Sequence, residues 1–412
     1  MRHLLCPILV LCGLFITPCA QSQLQKIYLH PKAAGSEKQS KFVDSIRFIP
    51  LEIKEGIELK SYSNVEITRD YFMIRDYLSK AFMLYTKDGH FIKKISHKRF
   101  GDNFYPVYDE HNNQVVFFGS NKNYTLTARD RIKIKSDWNN PRNKKYYKKY
   151  AIDLGDTTFT IKKIKPEQND ILHASYYYDD TYGMGDITTS ELYKDSLEYE
   201  FKLYKGNQLT QSYFPYNRIN EPKFLYTEEY VSASKTDTPY IHFVTRPYCD
   251  TIYKMVRDSL FPSYHLVLPL ENSLPASFFT KPFNNKTERD NYRRNNGWMF
   301  RQVYSFYETP RFVYFVVSFF TNYEIYLYQK QTKTTYNLKK IKTDSSQYNL
   351  NLFENFGVSR NQDKFYKTQK AGDMVTFFEK HKDIPVPREL ESFIKKNPPA
   401  ATPIIIEFKL KN

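Results

Sequence analysis

Residues 81–95, AFMLYTKDGHFIKKI, constrain this chain more than any other stretch. They read as two short strands of aromatic and β-branched residues joined by Lys87, Asp88 and Gly89. Asp-Gly between such runs is a strong hairpin signal, because both central residues of the tight turn must accept positive φ. A lone hairpin cannot bury its own apolar face, so this one has to belong to a larger sheet.

Weaker versions recur along the chain, after a short strand at 26–29 and a polar, loose stretch at 33–39. Strand pairs at 65–69 and 71–74 precede the hairpin and complete a unit of about four strands, the size of one propeller blade. Residues 106–109 and 114–118 repeat the pattern around the turn His111, Asn112, Asn113. Strand signals resume at 158–164, 171–178, 198–204, 208–214, 224–232, 240–245, 250–255, 303–307, 312–319, 324–329 and 335–341. The aromatic content of 17%, with 36 Tyr and 32 Phe among 412 residues, suits pleated, half-buried surfaces. No Pro-rich or Gly/Ser-rich linker divides the series, so one closed unit is expected over residues 23–412 rather than tethered domains.

Two stretches break the rhythm. Residues 133–150 hold seven Lys or Arg against one Asp and interleave Trp138, Tyr146, Tyr147 and Tyr150; residues 280–298 are again polar and basic, with a partly helical pattern. Both read as exposed insertions. Near the end, 387–396 (PRELESFIKK) has the apolar face, early proline and late lysines of a short helix. Residues 404–410 then form a last strand, expected to pair with the opposite end of the chain and so remove an exposed edge.

The first residues read as a targeting segment: Arg2, a mostly apolar run over 4–16, and the small-residue pattern Ala20, Gln21, Ser22 make residues 1–22 a secretory signal peptide. Lipidation at Cys19 is the alternative, although Thr17 and Pro18 depart from the usual residues before a lipidated cysteine. The apolar run is shorter than the ~20 residues a membrane span needs. Cleavage after Ser22 leaves Cys249 as the one cysteine, so no disulfide is expected; it reads as a small half-buried residue.

The runs SIRFIPLE, LSKAFMLYTKDGHFIKKI and RPYCDTIYKM, and the ending PRELESFIKKNPPAATPIIIEFKLKN, taken in this order, resemble a bacterial family of secreted or lipid-anchored six-bladed β-propellers related in fold to NHL-repeat propellers. The resemblance spans about residues 42–411 and implies an all-β, six-bladed propeller with two basic loop insertions and a short helix near the C-terminus. The family's glycine-rich, proline-containing stretch after the first hairpin is replaced here by Lys98 to Tyr105, KRFGDNFY. The resemblance brings no common catalytic motif.

Nor do the residues supply one. There is no nucleophile elbow, no zinc-binding H-E-x-x-H, no phosphate loop, no dinucleotide fingerprint and no C-x-x-C. No cofactor is implied. Asp179, Asp180 and Asp186, near Gly183 and Gly185, are weak calcium candidates that lack the spaced ladder and terminal Glu of a calcium loop, and a solvated turn is the favoured reading. His242, in a strand, reads as structural. Without the signal segment 60 basic residues face 45 acidic ones, a balance that attracts polyanions. Trp138, Tyr146, Tyr147 and Lys148 in the first basic stretch, and Arg293, Arg294 and Trp298 in the second, are the ligand-binding candidates, since cations and aromatic faces together suit acidic glycans or lipid headgroups. Nucleic acid fits an exported chain poorly.

The expectation is a monomeric, exported protein, whether periplasmic, outer-membrane-associated or extracellular. It is a non-catalytic binding or scaffold protein of the cell envelope that engages a glycan or protein partner, attached to membrane only through a lipid at Cys19. The alternative is an extracellular carbohydrate-active hydrolase or lyase at the propeller channel. Acids, His and Tyr converging on the channel mouth would favour the enzyme; an apolar or plugged channel would favour the binding protein.

Overall fold

In strand Tyr71–Asp76 the side chains of Phe72 and Ile74 enter one buried cluster and that of Met73 another; in Ala81–Thr86, Met83 and Tyr85 join the first while Phe82 and Leu84 join the second. Successive side chains of a strand point to opposite faces. A strand with a run of consecutive apolar residues must therefore be covered on both sides, and these strands are.

The computed structural model describes residues 24–411 apart from 53, 56, 58, 60–64, 97–99, 101–105, 121–146, 165–175, 179–180, 186–196, 206–207, 218–230, 239, 281–282, 354–357 and 362. Its strands form six sheets among the described residues. Blade 1 runs over Glu66–Ile67, Tyr71–Asp76, Ala81–Thr86 and Phe91–Ser96. Blade 2 comprises Val107–Asp109, Gln114–Ser120, Tyr147–Asp153 and Lys162–Ile164, and blade 3 comprises Tyr176–Tyr178, Thr181–Gly185, Leu197–Lys205 and Gln208–Asn217. Blade 4 holds Ser232–Lys235, Ile241–Thr245, Thr251–Val256 and Ser259–Val267; blade 5 holds Phe300–Glu308, Phe312–Phe319, Tyr323–Gln329 and Thr334–Asn337. Each is an antiparallel meander.

Blade 6 closes the ring. Val358–Asn361, Lys364–Lys370 and Pro403–Leu410 come from the C-terminal end, and the fourth strand, Val43–Pro50, from the N-terminal end, with Phe48 opposite Ile406. The expected pairing of the last strand with the start of the chain is realised. Clusters of buried side chains lie between blades 1 and 2, 3 and 4, 4 and 5, 5 and 6, and 6 and 1. The first strands of blades 3 and 4, 4 and 5, and 6 and 1 touch one another, which places them around the central axis.

The N-terminal stretch, expected to be loose around 33–39, is instead a belt. Gln25–Tyr28 adds a parallel strand to the outer edge of blade 4, from Gln25 opposite Tyr264 to Tyr28 opposite Val267. Gly35 and Lys38 then bridge to Tyr336 and Lys342 beside blade 5. Gln39, fully buried, donates 2.9 Å bonds to Gln347 and to the Leu350 carbonyl and accepts a 3.0 Å bond from the Leu352 amide. Polarity misled here, because this polar side chain is satisfied inside the fold rather than by water.

The opening hairpin differs in its turn. Residues 87–90 make the connection, and only Gly89 has positive φ (88°). A longer loop needs one left-handed residue, where the two-residue turn needs two. Helix Arg388–Lys395 forms as expected, with Leu390 and Phe393 buried. A second helix, Ala371–Lys380, precedes it and buries Ala371, Met374 and Phe378 in the same cluster.

Candidate site at the channel mouth

The meander sorts its connections by length. Links from first to second strand, and from third to fourth, emerge at one end of the molecule and never exceed the eight residues of 154–161. Links from second to third strand and from blade to blade emerge at the other end, where segments 121–146, 186–196, 268–299 and 371–402 leave and rejoin the strands. The first end is a turn face and the second an insertion face.

On the turn face, charged side chains from non-adjacent blades meet across the channel. Lys235, the last residue of the first strand of blade 4, forms an ion pair with Glu110 of blade 2. Arg360, in the first strand of blade 6, donates to the Lys235 carbonyl and lies 3.4 Å from the Asp237 carboxylate. Its guanidinium stacks 4.0 Å from the ring centroid of Tyr307, and the Tyr307 hydroxyl donates a 3.0 Å bond to Asp237. Glu66 of blade 1, held by Arg75 at 3.3 Å and by the Tyr108 amide at 3.1 Å, completes the rim. First strands and the turns that follow them make this possible: Glu66, Lys235, Tyr307 and Arg360 lie in first strands and Glu110 and Asp237 in the turns after them, so all come to the same end of the channel.

Burial and crowding set the protonation states. Burial, with Arg360 alongside, lowers the Lys235 ammonium to about 8, still cationic at neutral pH. Its side chain keeps 49% of its surface accessible because a channel-lining group is wetted from one side while protein surrounds it on the others. Burial pushes the Glu66 carboxyl up, against the opposing pull of Arg75. His242, 2% exposed, is driven down to about 3 by burial and by Lys235 and Arg360, so it is neutral at any physiological pH. That value lies far from the range in which an imidazole shuttles protons.

The candidates read from the sequence lie elsewhere. Trp138, Tyr146, Asp179, Asp180 and Asp186 fall outside the described residues. Tyr147 and Lys148 do not sit in an exposed insertion: they open strand Tyr147–Asp153, opposite Ser120 and Gly119. Tyr147 to Tyr150, read as the end of a basic loop, are the start of a blade strand. Arg293 and Arg294 occupy helix Lys286–Asn295, whose start is capped by the Asn285 side chain, 2.9 Å from the Glu288 amide. Arg293 donates a 2.7 Å bond to the Tyr248 hydroxyl and pins the helix to the blade, whereas Arg294 bonds its neighbour Asn291 and is exposed. Trp298 is 37% exposed and packs 5.4 Å from Phe319. Thus the second basic segment does present Arg294 and Trp298 on the insertion face. Cys249 is half-buried, its thiol directed at the Thr251 carbonyl. Among the described residues no three His, Cys, Asp or Glu side chains are grouped to hold a metal.

Residues 20–105 match the DUF5128 family, described as a 6-bladed beta-propeller. Nothing among curated proteins matches the chain. Among solved structures, a protein of Bacteroides fragilis designated only as exported is similar over 94% of this chain and 100% of its own, at 14% identity and a TM-score of 0.60. A member of the DUF4221 family from Bacteroides vulgatus aligns over 90% of this chain and 98% of its own (11% identity, TM-score 0.40), and the β-propeller domain of the Trilobed protease from Pyrococcus furiosus over 76% and 79% (11%, 0.31). The molecule is a β-propeller. Six sheets among the described residues agree with the blade number in the family description.

Proposed function

We propose that this propeller is an exported, non-catalytic binding or scaffold protein of the cell envelope, engaging an acidic glycan or a protein partner through its insertion face. The observation that carries the reading is the sorting of connections: apart from the N-terminal belt, every link longer than eight residues within and between the blades joins the strands at one end of the ring. Loops held by a rigid scaffold are where binding surfaces are built. The exposed Arg294 and Trp298 lie on that face, and the net positive charge favours an anionic partner. Export rests on the sequence of residues 1–22; no helix among the described residues is long and apolar enough to cross a membrane. The test is a glycan array and an envelope pull-down with residues 23–412, repeated with Arg294→Gln and Trp298→Ala. Retention that weakens in either variant supports the reading, and an absence of any retained glycan or protein removes its support.

The convergence of Glu66, Glu110, Asp237, His242 and Tyr307 favours a second reading, a hydrolase or lyase at the channel. Against it stand the neutral, deeply buried His242 and the ion pairs that already occupy these acids. Release of reducing ends or unsaturated sugars from acidic polysaccharides by the wild type, absent in Asp237→Asn, would establish the enzyme instead.

A further inference from the structure

Arg360, one of the two cations of the turn-face network, is fixed more firmly than the anion that neutralises it. Arg360 is 15% exposed, stacked on Tyr307 and bonded to the Lys235 carbonyl. Asp237 and Glu110 each keep 49% of their side-chain surface in water and lie on short turns following first strands. The Lys235–Glu110 pair, half in water on both sides, contributes little net stability, and the Asp237 carboxylate that meets Arg360 is itself half in water, so a carboxylate from solution competes with both. Arg presents a planar fork suited to a carboxylate, and Lys a compact charge beside it.

We propose that the turn-face mouth of the channel is a binding site for a small molecule carrying two carboxylates, which take the positions on Arg360 and Lys235 now held by Asp237 and Glu110. Crowding between the cations supports this, since Arg360 beside Lys235 disfavours the ammonium's charge and an anion bridging the two relieves it. The site is distinct from the insertion face, and its fate is independent of any partner bound there.

The signature is an inversion of sign. A carboxylate that merely builds a site weakens binding when removed, whereas an internal competitor strengthens it. Isothermal titration of residues 23–412 with glutarate, beside acetamide as a neutral control and inorganic phosphate, reads this directly. Asp237→Asn and Glu110→Gln should each tighten glutarate by roughly three- to fivefold. Arg360→Gln should abolish binding, and Arg360→Lys, which keeps the charge and the packing stem, should weaken it, with thermal melts confirming that both variants are folded. Absence of glutarate binding at about 20 mM, weaker binding in both Asp237→Asn and Glu110→Gln, or phosphate bound more tightly than glutarate would each overturn the assignment.

Discussion

Gly89 shows how one residue ties two blades together. Its φ of 88° is in the left-handed region, and a Cβ there would sit 2.5 Å from the Pro50 carbonyl oxygen of the closing blade. The neighbouring Asp88 meets Arg47 at 2.6 Å, and the Glu52 amide donates to the Gly89 carbonyl at 2.8 Å. Gly89→Ala should therefore destabilise the protein by more than the ~1–2 kcal/mol of a left-handed L-residue alone, measured as a shift in urea midpoint, while Asp88→Ala, losing one exposed pair, should change it by less than ~1 kcal/mol. His242 makes a second residue-scale prediction. Its pKa is about 3 in the folded chain, against an ordinary imidazole value of 6.5, so the unfolded state binds the proton more readily. The stability it confers is complete above about pH 6.5 and is lost as pH falls toward 3. Melting temperatures between pH 7 and pH 4 should fall in the wild type and fall less steeply in His242→Gln.

At the scale of elements, the belt and the closing strand do different work. Val43–Pro50 completes blade 6, and Ile406, at its centre and 2% exposed, is packed in the cluster shared with blade 5. Ile406→Ala should cost about 2–5 kcal/mol, as large-to-small changes in cores do. The preceding segment, by contrast, lies across the outside of blades 4 and 5. Ile27 and Leu29, at 0% and 1% exposure, are its main apolar contribution, and burying two such side chains is worth about 3–6 kcal/mol at most. Removing residues 24–38 should lower the melting temperature yet leave a cooperative transition, whereas removing 24–50 should abolish it, because blade 6 then loses its fourth strand. Differential scanning calorimetry of the two truncations distinguishes them. Gln39 explains why residues 33–39 of the belt were not legible as ordered structure, unlike the strand at its start: its partners Gln347, Leu350 and Leu352 lie more than 300 residues away in sequence.

Over the whole molecule, the architecture rests on a repeated local pattern and its use on non-local meetings. If the insertion face binds an acidic polymer, retention should fall steeply between low and moderate salt, since exposed charges are screened over about a Debye length; retention on an acidic-glycan column across a sodium chloride gradient measures it. Phe72, Met73, Leu84 and Phe315 all sit where apolar strand runs indicated, because burial on both faces of a blade leaves its mark in successive residues of the strand.

The sequence by itself determined the class: an uninterrupted series of short aromatic and β-branched strands, an Asp-Gly hairpin and a β-branched last strand specify stacked meanders closed by their ends, since these are properties of local period and turn chemistry. It also indicated helix Arg388–Lys395 and the helical tendency of the second basic stretch. Only the tertiary structure decided that Lys148 belongs to a strand, that Arg293 is spent on Tyr248, and that Glu110, Lys235, Asp237, Tyr307 and Arg360 share one channel mouth. Those five residues come from four blades and leave no spacing motif behind. Their meeting depends on the order and closure of the ring, and a polar residue at the end of a short strand looks the same in sequence whether it faces water or another charge.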